Sequence, residues 1–352
     1  MARKVKWLMS IIVGLVLLWS VLWYGASVAT GKVIDRVEQQ SVRMGRDVSC
    51  NERTVSGYPF HLEVSCGQAV LDAQDRGIEA DIDSVRSVAL LYKPGHVIAE
   101  ADGPLTVKLS PAAGLSGELV GRWKSARSSV SAGLSGLKRA SLVAEEIDVI
   151  ANALSGPANL DGPDGLDGLG SLGGLEQMTV QGAQLHVRPN PDSQTDFDVA
   201  LTLSDILTTR SGKALPEMDL GLLATAKNVG EALGFDPDLL LANWLNSGGA
   251  LDLEKLSFNS LGFAANASGP VTISQDGLVS GQVKLEITGM DKLPDLVAAI
   301  APRFRQNAEQ IAATFSGLAG NNPDGKVIIA LTLRNGIVSA GILPIGRIPN
   351  LF

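Results

Sequence analysis

The sequence predicts a mainly β protein with some α structure: an extended antiparallel meander sheet built from repeated hairpins, one face covered by amphipathic helices. Three observations carry this expectation. Short runs of alternating apolar residues bounded by turn residues follow one another along most of the chain. A strand-turn-strand pattern recurs three times. Only two segments beyond residue 30 keep a helical period.

The strand-like runs fall at 85–92, 97–101, 118–123, 128–132, 141–150, 178–187, 197–203 and 251–258. The repeat begins with Ala101-Asp102-Gly103-Pro104-Leu105-Thr106-Val107, which returns as Ala267-Ser268-Gly269-Pro270-Val271-Thr272-Ile273. Each is followed by a related turn and strand, 114–119 and 277–283. A third copy, 331–341, carries Asn335-Gly336 at its turn. An apolar-Thr-apolar triplet alternates faces with period two, and Asn-Gly or Asp-Gly supplies the positive φ of a tight hairpin turn. The copies therefore read as antiparallel hairpins.

Helix is expected at 236–246, which opens on Asp236-Pro237 and stops at Gly248-Gly249. A longer one is expected at 291–318, where Leu293, Leu296, Val297, Ile300, Phe304, Ile311, Phe315 and Leu318 recur every three or four residues. Pro302 should kink or divide it. Residues 156–174 hold seven glycines, so 156–176 reads as a linker or loop between a β-rich half at 30–155 and a second, with helices, at 177–352.

Residues 7–29 carry no charge, and at ~1.5 Å per residue they are long enough to cross a ~30 Å hydrocarbon core. Arg3, Lys4 and Lys6 precede them, so residues 1–29 read as a single-pass transmembrane anchor with the remaining chain outside the cytoplasm. Trp19, Trp23 and Tyr24 fall at the far interface in this reading. The alternative is a cleavable signal peptide ending at Ser27-Val28-Ala29. Without those three basic residues the balance is 26 Lys and Arg against 37 Asp and Glu, an acidic body that argues against nucleic acid as a partner.

The two cysteines, Cys50 and Cys66, flank the turn-rich stretch Ser56-Gly57-Tyr58-Pro59. A hairpin centred there sets the sulfurs across from each other, so a disulfide formed in an oxidising compartment is expected.

The chemical motifs are weak. Gly168-Leu169-Gly170-Ser171-Leu172-Gly173 fits a dinucleotide pattern but follows no strand. Asp161, Asp164 and Asp167 lack the spacing of a calcium loop. Ser135-Gly136-Leu137-Lys138 lacks its partner motifs, and His61, His96 and His186 are scattered. No catalytic residue, metal or cofactor is assigned, and the expectation is a protein that is not an enzyme.

The Trp-rich anchor, Cys50, Ser56-Gly57-Tyr58-Pro59-Phe60, Cys66 and the tail Gly341-Ile342-Leu343-Pro344 to Pro349 resemble an uncharacterised bacterial membrane-anchored family, the domain of unknown function twenty-one twenty-five. The resemblance runs nearly end to end and carries over no catalytic residues. More remotely, the Gly-Tyr-Pro-Phe opening and the repeated hairpins resemble AsmA-like envelope proteins, which implies an inner-membrane anchor, a periplasmic body and a lipid-accommodating groove.

Two functional expectations follow. The first is a structural, assembly or interaction factor offering an acidic sheet edge to an envelope protein partner. The second is a lipid-binding or lipid-transfer protein in which Phe60, Phe258, Phe263, Phe304 and Phe315 line or close an apolar β groove.

Overall fold

A computed structural model of the chain describes residues 2–43, 45–93, 95–111, 116–133, 136–155, 175–232, 240–319 and 326–351. The long helix α1, Ala2–Arg43, contains the uncharged run and continues past it through Lys32, Asp35, Arg36 and Glu38. Strands follow in a meander: β1 (Asp47–Asn51), β2 (Thr54–Ser56), β3 (His61–Cys66), β4 (Gln68–Ala73), β5 (Ile78–Leu90), β6 (His96–Leu109), β7 (Ser116–Arg122), β8 (Ser125–Gly133) and β9 (Gly136–Ser155). The second half holds β10 (Leu175–Pro189), β11 (Phe197–Arg210), β12 (Lys213–Ala214), β13 (Met218–Ala226), the short helices α2 (Val229–Ala232) and α3 (Leu240–Asn246), β14 (Ala250–Ser260), β15 (Phe263–Ile273) and β16 (Val279–Thr288). Helices α4 (Leu293–Ile300) and α5 (Arg305–Ala319) come next, then β17 (Val327–Arg334), β18 (Ile337–Ala340) and β19 (Leu343–Arg347).

All 19 strands belong to one sheet, and every described pairing is antiparallel. The Gly-rich segment falls at 156–174, outside the described residues, yet the strands on either side of it, β9 and β10, are direct neighbours. The ladder is therefore continuous from one half to the other. The three copies of the repeat are the hairpins β6–β7, β15–β16 and β17–β18. In the last, Asn335 and Gly336 both adopt positive φ, the conformation for which Asn-Gly is selected.

The register sorts the side chains into two faces. Directly paired residues share a face, and so do residues two apart in a strand. One row crosses twelve strands, from β3 to β17: Cys66, Val85, Ala101, Ala126, Ala144, Ala183, Leu203, Leu220, Phe258, Ala265, Ile287 and Val327. No member is polar. At ~4.8 Å per strand this stripe is about 53 Å long. The next row on the same face includes Val64, Leu142, Leu185, Leu201, Leu222, Leu256, Leu285 and Ile329. The row between them faces outward and is mostly polar, with Ser65, Arg86, Glu100, Arg127, Gln184, Thr202, Ser257, Asn266 and Glu286. Glu100 takes ion pairs from Arg86 at 2.6 Å and Arg127 at 3.0 Å across neighbouring strands.

The strands change alternation along one common line. The β5–β6 register slips between Ile82 and Ser84, opposite Gly103-Pro104, and Glu146 in β9 and Asp205 in β11 take positive φ. Beyond this line the apolar row is Cys50, Ala69, Ile82, Leu105, Gly121, Val149 and Met178. Bulges bend strands, so bulges in register crease the sheet. Trp123 sits in the crease against Gly103 and Gly121, and its indole N–H donates to the Ala101 carbonyl at 2.7 Å.

The expected disulfide is present, with the Cys50 and Cys66 Cα atoms 5.3 Å apart. Its placement differs from the simple hairpin picture. Cys50 pairs directly with Ala69, and β1–β4 and β2–β3 form one ladder interrupted at 52–53 and Gly67. The bond therefore ties the row on one side of the crease to the row on the other.

Of the expected 236–246 helix, the described residues 240–246 form α3, which stops before Gly248-Gly249 as expected, with both glycines at positive φ; 236–239 lie outside the described residues. The 291–318 pattern is split into α4 and α5 by Ala301 and a 3-10 turn at Pro302–Phe304. These two helices cover the β15–β17 end, where Phe263, Ile287, Met290, Leu296, Ala312 and Val327 form a buried cluster.

Replacing Cys50 and Cys66 together with Ala is expected to cost about 3 kcal/mol of unfolding free energy. Urea denaturation of both proteins without reductant checks this. A loss indistinguishable from zero would mean that the crease holds without its covalent tie.

Candidate functional site

Burial along the apolar face is uneven. Under α4 and α5, Ile287 and Val327 are 7% and 2% exposed. Away from the helices, Val97, Val130, Leu142, Leu220 and Leu256 are 36–47% exposed, although they lie on the same face. The edges of the sheet are not paired with each other among the described residues, so the face stays open rather than closing into a barrel. A separate cavity of about 630 Å³ lies between the α4–α5 pair and β19. It is lined by Leu293, Val297, Ile300, Phe304, Ile311 and Ile345, with Asn307 and Arg347 as polar lining, and it shares Leu296 with the buried cluster.

The five phenylalanines do not form one groove. Phe258, Phe263 and Phe315 belong to the packed cluster beneath the helices, with the Phe258 and Phe263 rings 6.3 Å apart. Phe304 lines the cavity and carries the Arg303 guanidinium 4.8 Å from its ring centre. Phe60 lies on the loop beside α1, 65% exposed. Three of the five thus lie where α4 and α5 cover the sheet. The open part of the face is instead lined by Val, Leu and Ala, which sequence reading passed over because ordinary strand alternation looks the same whether or not anything covers it.

A polar cluster lies at the ends of β10, β11 and β13. Asp196 accepts the Asn228 backbone N–H at 3.0 Å and pairs with Lys227 at 3.3 Å. Asp198 accepts from Asn190 at 2.7 Å, and from Arg188 and Thr225 at 3.1 Å each. The Asn228 amide, followed by Lys227, holds the Asp196 carboxyl below the usual carboxylate range. Burial pushes the Asp198 carboxyl up, but the hydrogen bonds from Asn190, Arg188 and Thr225 outweigh it and leave the group low. The oxygens face turn amides and neighbouring side chains, so the arrangement latches the loops between strands.

The histidines stay apart. His61 approaches Glu63 at 3.8 Å, His186 shares a hydrogen bond with Ser141 at 3.0 Å, and the buried Nδ1 of His96 has no partner among the described residues. Among the described residues no three His, Cys, Asp or Glu side chains converge as metal ligands. The Gly168–Gly173 motif, Asp161, Asp164, Asp167 and Ser135 lie outside the described residues.

At the other end of the sheet, α1 packs against the β2–β3 loop. The Trp19 indole N–H donates to the Pro59 carbonyl at 2.7 Å, and that of Trp23 donates to His61 at 2.9 Å. The Ser20 and Tyr58 hydroxyls are 2.8 Å apart, and Arg53 pairs with Asp35 further along α1 at 2.6 Å.

A profile described as "Uncharacterized protein conserved in bacteria (DUF2125)" matches residues 23–349. The chain belongs to this family. The match includes the Trp23–His61 and Asp35–Arg53 contacts of α1, the disulfide and the described strands, and begins after Trp19 and Ser20. No curated protein and no solved structure matches, so the AsmA-like resemblance is not shown by comparison. The uncovered apolar face is a feature that ordinary packing leaves unexplained.

Because both aspartates are held low when folded, they contribute stability above the ordinary carboxylate pKa of about 3.9 and lose it as pH falls through their folded values. Urea unfolding should therefore show stability dropping below about pH 4. Asp196→Asn should shrink that drop and cost about 1–3 kcal/mol at pH 7. An unchanged acid limb in the variant would remove the latch role.

Proposed function

We propose that this protein is a membrane-anchored, non-enzymatic lipid-handling protein whose open sheet face accommodates acyl chains in the periplasm. One observation carries the reading: among the described residues, an apolar face continuous over twelve strands is covered by helices only at its β15–β17 end. Monomeric soluble proteins rarely leave contiguous apolar patches of more than a few hundred Å² uncovered. Acyl chains suit such a surface because they need area and dryness but no hydrogen-bond partner. The periplasmic placement rests on Arg3, Lys4 and Lys6 before the α1 apolar run and on the disulfide, which persists in an oxidising compartment.

The second reading is a structural or assembly factor acting by strand addition, favoured by β19, a sheet edge with exposed Ile345. That edge carries Arg347 and no carboxylate, so it does not offer the acidic contact expected from composition.

The test is native mass spectrometry with solvent extraction on residues 30–352, secreted into the periplasm of a host and purified without detergent. The expected result is phospholipid at stoichiometric level. Leu142→Asp and Leu256→Asp should lose that lipid at a stability cost of about 1 kcal/mol or less, since both side chains are already half exposed. Phe263→Asp is the wrong probe, because Phe263 is part of the closed cluster. A lipid-free mass with no uptake from added liposomes would overturn the reading.

A further inference from the structure

We propose that the β2–β3 loop tip, Tyr58-Pro59-Phe60, together with Tyr92 of the β5–β6 turn, is inserted into the apolar layer of the bilayer that α1 crosses, so that this end of the sheet stands in the membrane. The depth follows from α1. Trp19 is twelve residues beyond Trp7, where the uncharged run starts, and at ~1.5 Å per residue that places it about 18 Å into a ~30 Å core, short of the far interface expected from the sequence. Trp19 and Trp23 spend their indole N–H groups on the Pro59 and His61 carbonyls, so the loop backbone is held at their level. The Trp23 and Tyr58 rings meet edge to face at 5.5 Å, and the Ser20–Tyr58 hydroxyl pair satisfies the phenol inside the contact.

The tip has the chemistry of its surroundings. Tyr58, Phe60 and Tyr92 are 51%, 65% and 70% exposed, which is costly in water and favourable in hydrocarbon or at its interface. The adjoining turn is part of the same surface, because the Leu91 N–H donates to the Phe60 carbonyl at 3.2 Å. The end of β8 joins through the Ala132 N–H, which donates to the Gly95 carbonyl at 2.7 Å. These three stretches, 56–61, 90–96 and 132–138, contain Lys93 and Lys138 but no Asp or Glu, in a chain with 37 acidic residues. A carboxylate-free apolar tip flanked by lysines matches a leaflet of apolar chains under anionic headgroups. Gly57 allows the approach: at φ +103° a side chain there would strike the His61 ring at 2.5 Å.

The inference concerns docking and stands whether or not the open face holds lipid; if it does, acyl chains would pass from leaflet to sheet without crossing water. The test is electron paramagnetic resonance accessibility on the full chain in phospholipid proteoliposomes. Both native cysteines are disulfide-bonded, so a nitroxide can be placed on one new thiol at a time: Phe60→Cys, Tyr92→Cys, Val21→Cys within α1 and Ile98→Cys on the outer face of β6. The expected result is that labels at 60 and 92 resemble the one at 21, with an oxygen-to-nickel accessibility ratio several-fold above that at 98. Labels at 60 and 92 that behave like the one at 98, while 21 stays membrane-buried, would overturn the proposal. Lipid extraction from the same samples reads the face separately, so failure of one idea is distinguishable from failure of the other.

Discussion

Strand register is the constraint on which the rest of this structure depends. A one-residue slip in any ladder would send a strand's apolar side chains to the water face and its charged ones inward. Twelve strands in succession keep the Cys66 to Val327 row apolar, and the neighbouring outer row keeps its ion pairs, such as Arg86–Glu100, on the other side. The devices that hold register are local. Asn335-Gly336 sets the β17–β18 turn, the Asp196 and Asp198 latch fixes the loops beyond β10 and β11, and the disulfide fixes the first hairpin on both sides of the crease.

What is built on that register is a gradient of burial. At the β15–β17 end, α4 and α5 supply Leu296 and Ala312 to a conventional core, and Phe258 and Phe263 pack into it. Toward the middle of the sheet the same rows continue without a cover among the described residues. The crease, filled by Trp123 where Gly103 and Gly121 leave room, bends the strands at a common level. The opposite edge meets α1, whose tryptophans grip the β2–β3 loop. One sheet thus joins a helix long and apolar enough to cross a membrane to a closed core, with an exposed apolar surface between them.

Much of the fold was legible in the sequence. Alternation located most long strands, the three repeat copies are three hairpins, the cysteines are bonded, and Pro302 divides the helical segment. β4 and β13 were not singled out, because Gln68–Ala73 is short and Met218–Ala226 carries Gly221 and a run of Leu and Ala with no clear alternation. The crease was hidden as well, since Glu146 and Asp205 give no local sign of positive φ. The site was less legible than the fold. Aromatic residues drew attention as groove candidates, yet large rings are the side chains that a core recruits first, and three of the five were taken by it. Tertiary coverage decides which alternating strands stay open, and one-dimensional patterning carries no record of it.

In the proposed reading the middle of the apolar face meets lipid rather than protein. A photoreactive benzoylphenylalanine in place of Leu142, irradiated in the intact membranes of an expressing host, reports which of the two lies against it. A phospholipid adduct is expected at this position and none from the same group at Ile98 on the polar face. Adducts confined to the protein's own chain at position 142 would contradict it, because the face would then be a closed core.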